Sequence, residues 1–248
     1  MNRFEGKVAL ITGASRGIGL AIAQRIVDEG GSVVVTARKQ EALDAAVATL
    51  GPNAVGVAGR SDDPDHRAAV FARIEERFGH LDHLVNNAGI NPAYGSLADV
   101  GADVMRKTFE VNVIATLEWA RGAVASGLMP AGSSIVNISS IAGVAAAAGI
   151  AFYGVTKGAL ITLTLQLASE LAPGIRVNSV APAVIKTDFA KALYDGREVE
   201  AAAQYPLARL GEVADIAGPV AFLLSDDAAW ITGQNLVIDG GASMGSIV

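Results

Sequence analysis

The chain has 248 residues, enough for one large α/β domain with an ample core, and combines 51% hydrophobic residues with 28 glycines and only 5% aromatics. A formal charge of −6, a pI near 5.1 and the lack of any basic tract argue against a nucleic-acid or anionic-membrane partner, since both need clustered Lys and Arg. The absence of cysteine excludes disulfides, thiolate metal sites and a cysteine nucleophile.

The opening MNRFEGKVALITG has no apolar segment of signal-peptide length, and the C-terminal GSIV matches no peroxisomal or retention signal, so a cytoplasmic protein is expected. Residues 7–12 (KVALIT) read as a short strand. The glycine-rich turn Gly13, Ala14, Ser15, Arg16, Gly17, Ile18, Gly19 follows, and then Ile18, Ile22 and Ile26 recur at helical spacing. Strand, turn and helix are the context of a phosphate-binding fingerprint. Its spacing here is G-x-x-x-G-x-G; the glycines let the backbone approach a pyrophosphate, and the helix N-terminus offers free N–H groups and partial positive charge.

Residues 32–36 (SVVVT) predict a second strand, ending in Ala37, Arg38 and Lys39. In dinucleotide folds an acid near this point holds the adenosine ribose diol, whereas an Arg accommodates a 2′-phosphate. Here Ala37 replaces the acid, Arg38 and Lys39 are adjacent to it and Arg16 lies inside the glycine-rich turn, which favours NADP(H) over NAD(H). The plainer alternative is that Arg38 and Lys39 open a solvated helix over 40–50. A third strand is expected at 54–57, then a helix from Asp62-Asp63-Pro64 to Phe78 with acids in its first turn. A fourth strand, 81–85, leads into Asn86, Asn87, Ala88 and Gly89. His80 and His83 flank an acid, but no third ligand lies nearby, so a polar turn is read there and no metal site. A helix over 103–125 carries Asn112 among apolar neighbours, and a buried amide needs partners.

The apolar run 135–138 places Ser140 at the carboxyl end of a buried strand, where ligands bind in open α/β sheets. Thirteen residues later comes Tyr153, with Lys157 four further on, so in a helix both side chains leave one face about a turn apart. A lysine cation beside a phenol favours the phenolate and is expected to lower its pKa, making a usable general acid/base. So short a pair arises easily by chance, and its context carries the argument. Residues 141–155 are free of strongly polar groups, yet this run is shorter than the ~18 residues of a membrane span. A sixth strand at 175–180 runs into Pro182, Ala183, Ile185 and Thr187. Residues 188–207 lack a firm period and suit a mobile helical lid; a helix over 209–224 and a strand over 234–238 complete the chain. This alternation predicts one domain over 1–248, a doubly wound α/β fold with a mostly parallel sheet and helices on both faces.

Thr12-Gly13-x-x-x-Gly17-Ile18-Gly19, Asn86-Asn87-Ala88-Gly89, Asn112, Ser140 and Tyr153-x-x-x-Lys157 together resemble the short-chain dehydrogenase/reductase family over nearly the whole chain. The resemblance implies a Rossmann-like, seven-stranded sheet, a catalytic set of Asn112, Ser140, Tyr153 and Lys157, and a homotetramer or homodimer. It implies hydride transfer between a nicotinamide and a carbonyl carbon: Ser140 holding the oxygen, Tyr153 delivering the proton, Lys157 tuning the phenol and binding the ribose, and Asn112 supporting a proton relay. It also implies cofactor contacts from Gly13, Ser15, Arg16, Gly17, Ile18 and Gly19, from Ala37, Arg38 and Lys39, from Arg60 and Ser61, from Asn87, Ala88 and Gly89, and from Pro182, Ala183, Ile185 and Thr187. Two departures stand out. Ala183 replaces the usual glycine after Pro182, and Arg60 stands where an acid commonly reads the adenine, adding a third cation near the adenosine if it reaches.

For the substrate, Tyr94, Ser140, Ala147, Phe152, Phe189, Leu193 and Tyr194 are candidate pocket walls for a ketone, aldehyde or secondary alcohol. The alternative is a 3-oxoacyl thioester reductase, whose acidic carrier protein needs basic docking residues; residues 122–134 contain no Lys or Arg. A non-catalytic dinucleotide-binding protein is a remote third reading, because pseudoenzymes usually lose the Tyr or Lys.

Overall fold

Aliphatic and β-branched residues run together at 8–11 and 33–36, as expected of central strands with both sheet faces covered. The computed structural model describes residues 2–244; the C-terminal 245–248 used in the targeting argument lie outside them. The strands are β1 (Val8–Ile11), β2 (Ser32–Ala37), β3 (Ala54–Ala58), β4 (His83–Asn86), β5 (Ser133–Ile138), β6 (Ile175–Pro182) and β7 (Asn235–Ile238). They form one seven-stranded sheet in the order β3-β2-β1-β4-β5-β6-β7, with every pairing parallel. The helices α1 (Gly17–Asp28), α2 (Gln40–Leu50), α3 (Pro64–Phe78), α4 (Ala102–Phe109), α5 (Ala115–Ala125), α6 (Ala151–Leu171), α7 (Glu198–Ala202) and α8 (Val213–Leu224) connect them.

The period of two along each strand divides the core into two layers. Ala9, Ile11, Val33 and Val35 pack with Ile22 and Ile26 of α1, Leu43 of α2 and Val220 of α8. Val8, Leu10, Val34 and Leu84 pack on the other face with Val70 and Ile74 of α3, Trp119 of α5 and Leu167 of α6. Each such side chain, once buried, contributes roughly 1.5–3 kcal/mol. Because the strand order reverses between β1 and β4, a crevice opens at their carboxyl ends, the usual ligand position in such a sheet. Among the described residues no helix is long and apolar enough to cross a membrane.

Three expectations need correction. The helix expected over 103–125 is interrupted by a π-turn at Glu110–Ile114, centred on Asn112, whose side chain is committed inward to other elements. The helix expected from 209 begins at Val213, because Glu212 and Asp215 form a capping box and Arg209 pairs with Asp215 at 2.6 Å instead of entering the helix. Residues 188–207 are less helical than expected, holding only a 3₁₀ turn at Lys191–Leu193 and the short α7.

Candidate active site

Asn87 and Ala88, just past the end of β4, hold the turn after β1 in place. The Thr12 hydroxyl accepts from the backbone N–H of Asn87 and of Ala88, both at 3.0 Å, and Asn87 Nδ2 donates to the carbonyls of Thr12 and Gly13, both at 2.9 Å. Gly13 and Gly17 have φ of +66° and +59°, a left-handed backbone that glycine adopts without strain. A Cβ at Gly19 would lie 2.5 Å from Asn87 Nδ2, so the α1 start and the β4 end approach to a separation that admits no side chain. The N-cap residue Arg16 makes no side-chain cap bond, leaving the first N–H groups of α1 to an external acceptor. This cradle fits the pyrophosphate of a dinucleotide.

On the other side of the crevice, Ser140 follows β5 and accepts from Ala142 N–H at 3.2 Å. Its loop lies directly on α6: a Cβ at Gly143 would meet the Lys157 carbonyl carbon at 2.6 Å, and one at Gly154 would meet Ala142 O at 2.5 Å. Glycine at both positions therefore fixes Ser140 near Tyr153. Lys157 Nζ stands 5.5 Å from the centroid of the Tyr153 ring and donates to Ile138 O at 2.7 Å, while Ser139 Oγ donates to Lys157 O at 2.8 Å. Asn112 accepts from Ile90 N–H at 2.8 Å and donates to Ile90 O at 2.9 Å and to Thr156 Oγ1 at 3.0 Å. Thr156 in turn donates to the Tyr153 carbonyl at 2.7 Å, so the amide supports both the β4 loop and the first turns of α6. A Cβ at Gly89 would lie 3.4 Å from Asn112 Oδ1 and 3.5 Å from Lys157 Nζ, which brings the four residues of the predicted set around one opening. Thr12 lay inside the quoted motif without a role, and Thr156 was missed; its only signal is its place between Tyr153 and Lys157.

Burial pushes the Tyr153 phenol above its usual value of 10, the Ser140 hydroxyl pulls it back, and the neighbouring Tyr94 phenol adds a smaller upward push. The residue as a whole is half-buried, so its ring is desolvated by packing while one side still faces the crevice. The expected lowering by Lys157 is not what the structure shows: desolvation of the phenolate sets the direction, and the ammonium is directed to the Ile138 carbonyl. Lys157 is itself only 3% exposed, and burial pushes it down to about 8. Below pH 8 folded and unfolded chains both carry this charge and the burial penalty is present in full. It is relieved as pH rises from about 8 towards the ordinary value of 10.5. Relative to Lys157→Met, the wild type is expected to gain stability across that window, as read by urea denaturation at successive pH values. Stabilities that run parallel with pH would show that the ammonium is not desolvated.

At the adenosine end, Ala14 N–H donates to Thr36 O at 2.9 Å, joining the glycine-rich turn to the carboxyl end of β2. Ala37 is half-buried there, and Arg38 and Lys39 stand exposed beyond it, outside the ion pairs seen among the described residues. The other expected cations are engaged. Arg60 turns to Asp62 with contacts of 3.2 and 3.0 Å, and Lys107 holds the same carboxyl, which these partners keep well below the usual carboxylate range. Ser61 is also turned away, its hydroxyl and carbonyl accepting from Trp119 Nε1 at 2.9 and 3.1 Å. Arg16 reaches across the crevice to Asp188 at 3.0 Å. Past β6, Ala183 N–H donates to Ile238 O at 3.1 Å without a left-handed backbone, so alanine is accommodated after Pro182. Ile185 is buried, and Thr187 rests on the turn, with a Cβ at Gly17 falling 3.3 Å from its Cγ2. The expected histidines are separate: His83 Nδ1 pairs with Ser134 Oγ at 2.9 Å, and His80 lies against backbone carbonyls.

Of the expected pocket walls, Phe152 lines both a cavity of ≈ 10 Å³ shared with Tyr153 and a wider groove of ≈ 480 Å³. Val100, Val104 and Thr108 line the first and Met105 and Phe109 the second, all missed in sequence because only tertiary packing brings α4 to the start of α6. Tyr94, Ser140, Ala147, Phe189, Leu193 and Tyr194 line neither. Phe189 does reach the site, its ring 6.1 Å from that of Tyr153, whereas the Tyr194 hydroxyl turns back to donate to Thr187 O at 3.3 Å.

A family model described as Enoyl-(Acyl carrier protein) reductase matches residues 13–243. The chain is 42% identical over 249 residues to "Dehydrogenase/reductase SDR family member 4" of Caenorhabditis elegans, covering 96% of each chain. It is 41% identical to "Tropinone reductase-like 3" of Erythroxylum coca, covering 96% of this chain and 94% of that one. A crystal structure titled short-chain dehydrogenase/reductase SDR:glucose/ribitol dehydrogenase, from Brucella melitensis, superposes with a TM-score of 0.93 at 35% identity over 98% of this chain and 99% of that one. Fold, sequence and the crevice at the β1/β4 switch point agree, and this chain belongs to the short-chain dehydrogenase/reductase family of oxidoreductases, which bind a nicotinamide dinucleotide.

Proposed function

We propose that this protein is a cytoplasmic, NADP(H)-dependent oxidoreductase that interconverts a ketone or aldehyde and the corresponding alcohol. The observation that carries the reading is the Tyr153 phenol lying between the Lys157 ammonium and the Ser140 hydroxyl beside the glycine-rich cradle. The bound nicotinamide would supply or accept the hydride at the substrate carbon. The α1 N-terminus and the Gly13–Gly19 turn would hold the pyrophosphate, Asn87 to Gly89 would flank the ring, and Lys157 would take a ribose hydroxyl. Tyr153 Oη gives its proton to the substrate oxygen as negative charge builds there, and the Ser140 hydroxyl donates to the same oxygen. Donors fixed in advance stabilise that charge more than the neutral carbonyl. The raised phenol pKa keeps the proton in place at neutral pH, and the Lys157 ammonium offsets the phenolate left behind. Asn112 acts by position, holding the Ile90 and Thr156 segments together. Residues 188–207 act as a lid, its base tied by Lys186 N–H to Gly211 O at 2.8 Å and by Lys186 Nζ to Glu198 and Glu212 at 2.7 and 2.9 Å.

NADPH oxidation followed at the reduced-nicotinamide absorbance band, over a panel of ketones, aldehydes and 3-oxoacyl thioesters, tests the reading. Turnover of simple carbonyls is expected. Turnover of thioesters alone would favour the 3-oxoacyl reductase, and tight cofactor binding without any turnover a non-catalytic role. We also propose a homotetramer or homodimer, because Ile114, Val155 and Leu165 leave 37%, 52% and 54% of their surface exposed around α5 and α6. Light scattering after size exclusion is expected to give two or four chains, and a monomer at micromolar concentration would refute it.

A further inference from the structure

We propose that Asp188 is a specificity-determining residue for the cofactor, holding Arg16 in competition with the 2′-phosphate of the dinucleotide. This rests on the NADP(H) reading above. The ion pair joins groups 172 positions apart in sequence, the N-cap of α1 and the first residue past Thr187, and so crosses the mouth of the cradle. It consists of one contact at 3.0 Å between side chains that are 70% and 68% exposed. A pair of this kind is readily displaced, because solvent screens it and only one N–H of the guanidinium fork is used. Arg60 is also exposed but more firmly held: it meets Asp62 through two nitrogens, and that carboxyl is only 12% exposed and shared with Lys107.

The backbone puts Arg16 where it can serve both partners. Its turn is joined to the end of β2 that carries Ala37 and Arg38, and Thr187 packs against Gly17 on the other side. A phosphate dianion at the ribose 2′ position would draw Arg16 toward Arg38 and away from Asp188. A dinucleotide without that phosphate leaves the pair intact. Asp188 thus subtracts from the affinity for phosphorylated cofactor alone, and its release frees the first residue of the lid from the glycine-rich turn.

The test is equilibrium binding by calorimetry at low ionic strength, comparing adenosine 2′,5′-bisphosphate (2′,5′-ADP) with 5′-AMP, probes that contain no nicotinamide and differ only by the 2′-phosphate. Asp188→Asn is expected to tighten 2′,5′-ADP about two- to fivefold and to leave 5′-AMP unchanged, the range set by the strength of exposed ion pairs. Arg16→Ala is expected to weaken 2′,5′-ADP and to make the Asp188→Asn change silent in the double variant. Equal tightening of both probes, no change with 2′,5′-ADP, or a gain that persists without Arg16 would overturn the inference. If the wild type binds 2′,5′-ADP no better than 5′-AMP, the NADP(H) reading fails instead. Discrimination in the wild type with a silent Asp188→Asn would remove only the role of Asp188.

Discussion

Tyr153→Phe is expected to lower turnover by about 10²–10⁴-fold, the range found when a positioned general acid is removed, with cofactor affinity almost unchanged. The substitution deletes one hydroxyl and leaves a ring of the same shape against Phe189 and over Lys157, so little packing is lost. What disappears is the one proton held between Ser140 and the substrate oxygen. Lys157→Ala should behave differently, reducing turnover and cofactor affinity together, because the same ammonium faces the phenol and the proposed ribose position. Stopped-flow turnover and calorimetric binding separate the two outcomes. Near-normal turnover in Tyr153→Phe would remove the phenol from the mechanism.

Ala37→Asp is expected to reverse the cofactor preference, giving NADH the advantage in kcat/KM. The residue stands at the end of β2, beside the turn that Ala14 N–H joins to Thr36, so a carboxylate there would face the ribose diol of NADH and repel a 2′-phosphate of about −1.5 to −2 charge. In the wild type Arg38 is the exposed cation at that point, and a charge-assisted bond from it is worth roughly 1.5–3 kcal/mol before solvent screening reduces it. With Arg60 committed to Asp62 and Arg16 shared with Asp188, a preference for NADPH of about tenfold is expected, and Arg38→Ala should remove most of it. Equal kcat/KM for both cofactors in the wild type, or an unchanged ratio in Ala37→Asp, would mean that Arg38 only opens α2.

The sequence by itself determined the sheet, the glycine-rich turn and the helical spacing of Tyr153 and Lys157. These depend on local rules: apolar runs become buried strands, a left-handed backbone calls for glycine, and residues four apart share a helical face. Helix ends were less legible where a distant group competes for them, as at Asn112, whose amide is bound to Ile90 and Thr156, and at Arg209, which pairs with Asp215. Only the tertiary structure decided which cations remain for a cofactor, because an ion pair depends on distance through space and Asp188 is 172 positions from Arg16. The direction of the Tyr153 pKa was decided there too. Sequence spacing puts an ammonium beside the phenol and suggests a fall. The packing that buries the ring desolvates the phenolate, and the proton is held more tightly instead.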